Sequence, residues 1–194
     1  EIEVHVPANE AWKIYGTVQL AHIVVKELPN IIHKVDILEG DGGVGSVFKV
    51  TFPPGTPLLT SHKEKFVVID DDKRVKIAQV VEGGLLDLGF TLHKVKFEVI
   101  EKGKEICITK STIEYEVKEE AIANASFVSI QPFVAIMNLV AKYLTQGKDG
   151  QASAQLRGGT RIQNNIMNMN VILLYACRLS SSKNHIYPQN SSLI

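Results

Sequence analysis

Glu39-Gly40-Asp41-Gly42-Gly43-Val44-Gly45-Ser46 separates two runs of alternating character, residues 31–38 before it and Val47-Phe48-Lys49-Val50-Thr51-Phe52 after it. Apolar residues at every second position give each run one dry face, and the glycines between them allow the backbone to reverse, so the stretch predicts an antiparallel hairpin. A glycine run after a strand also suits a phosphate cradle, but that cradle needs Gly-Lys-Ser/Thr and a helix to follow. Here the next pattern is another strand.

Towards the N-terminus, Ile2, Val4 and Val6 alternate with Glu1, Glu3 and His5, which predicts a first strand. Pro7-Ala8-Asn9 ends it, and Asn9 is placed to cap a helix that turns Ala11, Trp12 and Tyr15 inward. A second short helix is expected over residues 20–27. Towards the C-terminus, four further strand patterns occupy residues 58–69, 75–81, 88–100 and 105–117, separated by Asp70-Asp71-Asp72, Gly83-Gly84 and Lys102-Gly103. Residues 118–146 then repeat apolar side chains at intervals of three and four, among them Phe133, Ile136, Met137 and Val140. That period predicts a long helix, bent where Pro132 in its middle removes a backbone donor. Strands joined by short turns, two helices after the first and one after the last, make an α+β fold: a seven-stranded curved antiparallel sheet wrapped around the long C-terminal helix, with a hollow between.

The 194 residues suit one domain rather than two. It is read as residues 1–146. Beyond it the composition turns to Gly, Ser, Asn and Gln with almost no acid, and residues 147–194 are read as a disordered or loosely attached tail, the alternative being a short helix over 166–179. The 21 acidic and 21 basic side chains balance and form no basic block, which argues against nucleic acid or anionic lipid as a partner. The longest apolar run near the end, residues 171–177, is far short of the roughly 20 residues a membrane span needs. Cys107 and Cys177, the two cysteines, give neither a disulfide framework nor zinc-site spacing. The expectation is therefore a reducing compartment, the cytoplasm with the nucleus as a second location, no metal and no cofactor, and a monomer or weak dimer.

Lysines mark the wet face of each strand. Lys63 and Lys65 turn His62, Glu64, Phe66 and Val68 inward; Lys94, Lys96 and Glu98 do the same for His93, Val95, Phe97 and Val99. On the last strand Cys107, Thr109, Ser111, Ile113 and Tyr115 share a face opposite Lys110, Thr112, Glu114 and Glu116. With Leu85, Phe133 and Met137 added, the predicted ligand contacts are Phe66, Leu85, His93, Val95, Phe97, Tyr115, Phe133 and Met137: apolar walls with a few polar handles. Val75 and Ile77 read as the inward residues of their strand, which leaves Lys76 in solvent. His62 and His93 read as pocket-lining or packed rather than as metal ligands, Cys107 as a packed thiol, and Glu64 as the partner of a neighbouring lysine.

Five segments in order, Gly40-Asp41-Gly42-Gly43-Val44-Gly45, Thr51-Phe52-Pro53-Pro54-Gly55, Lys63-Glu64-Lys65-Phe66, Glu82-Gly83-Gly84 and Leu86-Asp87-Leu88-Gly89, resemble the Bet v 1 superfamily of class-10 pathogenesis-related plant proteins, in particular its norcoclaurine-synthase branch. The resemblance covers residues 1–146 and implies a helix-grip, START-like fold around a ligand cavity. Norcoclaurine synthases condense dopamine with an aldehyde by a Pictet–Spengler reaction, in which water is lost to form an iminium ion and a ring closes as the aromatic carbon gives up its proton. By this resemblance the family's essential lysine falls on Lys76, its carboxylate base on Glu64, its active-site tyrosine on His62 and its aspartate on Val95, so Glu64, Lys76 and His62 are the implied catalytic residues. Three functions are expected, the third being a storage or defence protein whose cavity is incidental. The leading one is a carrier of small amphipathic metabolites or hormones, of cytokinin, abscisic-acid, flavonoid or alkaloid type, because two of the four catalytic positions differ; the alternative is the Pictet–Spengler lyase itself. A protein phosphatase is implied as a partner by resemblance alone, since the gate motifs of the superfamily's hormone receptors are absent here.

Overall fold

In the computed structural model, residues 1–152 are described, the last six as helix backbone alone. β1 (Ile2–Val4), α1 (Ala8–Tyr15), α2 (Gln19–Glu27), β2 (Lys34–Glu39), β3 (Val47–Thr51), β4 (Ser61–Asp70), β5 (Val75–Gly83), β6 (Phe90–Gly103), β7 (Ile106–Val117) and α3 (Gln131–Ala152) follow one another, with 3-10 segments over Gly84–Leu88 and Glu119–Phe127. The strands form one seven-stranded antiparallel sheet in the order β1-β7-β6-β5-β4-β3-β2. From β2 to β7 each strand pairs with its successor, whereas β1 pairs with β7 at the far edge. α1 and α2 must therefore carry the chain from one edge of the sheet to the other; α1 packs on β6 and β7, and α2 on β2 and α3.

The glycine loop makes the predicted hairpin, and its geometry explains why glycine is required. Gly42 has φ +100°, and a Cβ there would stand 2.7 Å from Val18 Cγ1, so only hydrogen lets the loop close on the start of α2. Its backbone donors are engaged within the protein: Gly42 N–H donates to Ser46 Oγ, Gly43 N–H to Asp41 Oδ1 and Gly45 N–H to the Phe66 carbonyl. Those three donors are already satisfied by groups of the loop and β4, which leaves them unavailable to a phosphate.

The core forms where α1 and α3 meet the sheet. Val4, Val6, Tyr15, Val24, Val99, Cys107, Met137 and Val140 are all buried there, and Trp12 Nε1–H donates to Asp71 Oδ1 at 2.8 Å, fixing α1 to the β4–β5 turn. Burial pushes the Tyr15 hydroxyl and the Cys107 thiol up from their ordinary pKa values, which keeps both neutral. Met137 is 1% exposed in this filled region. Met137→Ala is expected to cost about 2–5 kcal/mol, because neighbours on a helix and a sheet cannot collapse into the void. Urea denaturation measures it; a loss under about 1 kcal/mol would contradict the packing described.

Four readings of the sequence need correction. Asn9 does not cap α1, which begins after Pro7 without a side-chain cap; its Oδ1 instead accepts from Arg74 Nη2 at 2.7 Å and Nε at 3.0 Å. Pro132 does not bend a continuous helix. The chain is 3-10 over Glu119–Phe127, breaks at Val128, and α3 starts at Gln131, so Pro132 sits in a first turn where its missing N–H costs nothing. Glu119–Gln146 is long and apolar enough to cross a bilayer by length and composition, but the break divides it and Ile136, Met137 and Val140 of α3 are buried in the core. Val68 does not follow Phe66 inward: a β-bulge between them puts Val68 across from Ile77 and Ile69 across from Lys76, shifting the alternation by one residue. Finally, α3 continues past Gln146 to Ala152; of the tail read over residues 147–194, residues 153–194 lie outside the described residues.

Candidate functional site

A cavity of about 240 Å³ lies between the sheet and α3. β3 to β6 supply one wall, through Phe48, Val50, Phe66, Ala78, Val80, Val95 and Phe97. α3 supplies the opposite wall through Phe133 and Ile136, and α2 adds Leu20 and Val24. Of the helical walls the sequence reading names Phe133 and Met137 on α3, and misses Ile136 and the two α2 residues. The signal was present in the Leu20–Val24 spacing, which puts both on one face of α2, but nothing local says that this face meets a void.

Of the residues expected at the site, His62, Glu64, Lys76, Phe66, Leu85, His93, Val95, Phe97 and Phe133 all line the cavity. Tyr115 and Met137 do not. Tyr115 pairs with His93 across β6 and β7, but near the end of its strand its ring leans on Phe90 at 5.7 Å and stays 41% exposed, keeping its hydroxyl within reach of water. Met137 follows Ile136 by one residue, a turn of about 100° on the helix, and so points into filled core.

Lys76 overturns the alternation reading. The buried residues of β5 are Lys76, Ala78 and Val80, since Lys76 pairs with Phe97 and Ala78 with Val95, both inward on β6. Lys76 is 3% exposed; its Nζ donates to the Thr17 carbonyl at 3.1 Å and lies 4.9 Å from the centre of the Phe66 ring. Burial brings its pKa down from 10.5 to about 8, and the Glu64 carboxylate opposes part of that shift. Such an amine exchanges a proton readily near neutral pH.

Glu64 and His62 stand two apart on β4 and on the same side, with His62 Nε2 3.5 Å from Glu64 Oε2. Phe52 meets the His62 ring edge-on at 5.2 Å, and Gly84, at φ +59°, lays the 3-10 segment against it: a Cβ on Gly84 would be 2.9 Å from His62 Cβ. This contact brings Leu85 to the cavity. Among the cavity-lining residues Glu64 is the one carboxylate and Lys76 the one ammonium, and Val95 adds no charge. Burial, and then the neighbouring His62, push His93 down from 6.5 to about 4, with Glu64 opposing, so His93 is a neutral imidazole at physiological pH. Among the described residues no group of three His, Cys, Asp or Glu side chains is placed to hold a metal ion.

Residues 1–146 match the pathogenesis-related protein Bet v 1 family. The chain is 48% identical to norbelladine synthase of Narcissus pseudonarcissus over 148 residues, 76% of this chain and 91% of that protein. It is 35% identical to S-norcoclaurine synthase 2 of Papaver somniferum over 146 residues, 74% of this chain and 63% of the relative's length. Among solved structures, norcoclaurine synthase from Thalictrum flavum in complex with dopamine and hydroxybenzaldehyde superposes with a TM-score of 0.67 at 35% identity, covering 75% of this chain and 83% of that one.

Proposed function

Because the chain belongs to the pathogenesis-related Bet v 1 family, we propose that it condenses an aromatic ethylamine with an aldehyde by a Pictet–Spengler-type reaction in alkaloid biosynthesis. The observation that carries this reading is the pair Glu64 and Lys76, an acid and a base of opposite charge facing one apolar cavity. A mere container for greasy molecules gains nothing from a buried lysine, whose desolvation disfavours folding. The similarity to norbelladine and norcoclaurine synthases supports the same reading over a carrier of hormones, which the cavity alone would equally suit.

In this scheme the amine adds to the carbonyl, and the carbinolamine loses water to give an iminium ion. Lys76, with its pKa near 8, donates the proton that lets the hydroxyl leave as water. The electron-rich ring then attacks the iminium carbon, forming the C–C bond, and Glu64 takes the proton released from the ring carbon. His62 stands where the family has tyrosine and donates a hydrogen bond in its place. With Val95 at the aspartate position, Glu64 both attracts the cationic intermediate and accepts its proton.

The test is to incubate the protein with dopamine and 4-hydroxyphenylacetaldehyde and follow the cyclised product by liquid chromatography and mass spectrometry. Product is expected at least about a hundredfold faster than in buffer, the lower reach of positioned proton transfer. Formation at the buffer rate, with both compounds bound saturably, would instead mark a carrier.

A further inference from the structure

The end of the cavity away from Lys76 carries a second polar group that the scheme above does not use. Lys76 pairs with Phe97, and His93 lies four residues before Phe97 on the same strand, which separates the two positions by roughly 13 Å along β6. Glu64 pairs with Val80 and His62 with Gly83, further along β5 than Ala78, so both histidines and the carboxylate gather at this end. His93 lines the cavity and is 9% exposed, yet its Nδ1 has no hydrogen-bond partner in the protein; Nε2 of His62 on the same wall makes no hydrogen bond either, its one polar neighbour being Glu64 Oε2 at 3.5 Å. A buried polar atom left unmatched is costly, and native proteins rarely keep two together without a partner for them.

We propose that His93, assisted by His62, is the recognition site for the hydroxyl group of a phenolic substrate, and so sets a preference for hydroxylated over bare aromatic rings. The partner's chemistry follows from what this end offers. His93 is neutral, so it holds neither an ammonium nor a carboxylate by charge, whereas a neutral imidazole presents one donor and one acceptor, the same complement as a hydroxyl. The surroundings are aromatic and apolar: Phe52 lies edge-on to His62, and Val80, Leu85 and Val95 line the wall nearby. A flat ring with a hydroxyl at its tip fits, with its reactive arm directed back towards Lys76. The choice of aromatic amines and aldehydes as ligands rests on the condensation reading; the hydroxyl preference itself is a binding property.

The test therefore measures binding without turnover. The full chain is titrated by calorimetry with 4-hydroxybenzaldehyde and benzaldehyde, and with tyramine and phenethylamine, one compound at a time. In at least one pair the hydroxylated member is expected to bind about tenfold or more tightly, because a site built to pair a hydroxyl is left unmatched by its analogue. His93→Leu should reduce the preference to about twofold or less without weakening the bare-ring ligand, and His93→Gln, which keeps a donor and an acceptor, should retain part of it. Should His93→Leu not fold, as judged by circular dichroism, the ring ¹⁵N resonances of His93 in the native protein decide: they should move with the hydroxylated ligand and not with the bare one. Equal affinities in both pairs, a preference surviving in His93→Leu, or unmoved His93 resonances would each overturn the proposal. Preference without any condensation product would defeat the condensation reading alone; product without preference would defeat this one alone.

Discussion

Lys76→Met is expected to lose condensation by a factor of about 10²–10⁴, the usual worth of a positioned acid–base group, while making the fold more stable. The second effect follows from burial. Lys76 titrates near 8 in the folded chain and at 10.5 when unfolded, so between those values the unfolded chain holds a proton that the folded chain has released. Stability contributed by this group therefore rises as pH climbs from about 8 to 10.5, and below 8 the folded state bears the full desolvation cost. Met fills similar space without charge and should stabilise by about 1–3 kcal/mol at pH 7, a gain that shrinks as pH approaches 10.5. Loss of the Thr17 hydrogen bond offsets part of it. Denaturant melts of both proteins at pH 7 and pH 10 measure the difference; a variant less stable at pH 7, or a gain independent of pH, would mean that Lys76 is not buried as described.

Glu64→Gln is expected to be as damaging to turnover, about 10²–10⁴, since an amide cannot take a proton from the ring carbon. It also has a signature separate from catalysis. The Glu64 charge raises the pKa of both Lys76 and His93, so removing it should lower both, taking Lys76 below about 8. Nuclear magnetic resonance titration of the Lys76 ¹³Cε and the His93 ring reads this directly. Unchanged midpoints in the variant would place Glu64 away from both groups and remove its assigned role.

The main lines of the fold were legible because they rest on periodicity. Ile2, Val4 and Val6 against Glu1, Glu3 and His5 mark an edge strand, and lysines on β4 and β6 label the wet face and so orient His62, Glu64, His93, Val95 and Phe97 correctly. What alternation could not carry is any device that breaks it. The bulge after Phe66 leaves no mark in the sequence, yet it reverses which of Val68 and Ile69 faces inward. β5 is harder still: Val75-Lys76-Ile77-Ala78 reads as though its branched residues were inside, and only pairing with Val95 and Phe97 reveals that the lysine is. A charged residue turned inward contradicts local preference, and such conflicts concentrate where function is kept at the expense of stability. The resemblance to norcoclaurine synthases pointed to Lys76 where periodicity pointed away. Pro132 failed for a related reason: proline is equally at home in a helix's first turn, and the break at Val128 makes it a beginning rather than a bend.

The chirality of the product tests the central claim most directly. Dopamine and 4-hydroxyphenylacetaldehyde are incubated with the protein at pH 7, below the Lys76 pKa so that its proton is present, and the two enantiomers of the cyclised amine are separated and counted. If the iminium ion closes inside the cavity, with Glu64 on one side and the wall of α3 on the other, one enantiomer should exceed the other by at least about tenfold, a bias worth only about 1.4 kcal/mol between two transition states. Equal amounts of both hands, formed no faster than in buffer, would mean the ring closes in solution and the cavity serves some other guest.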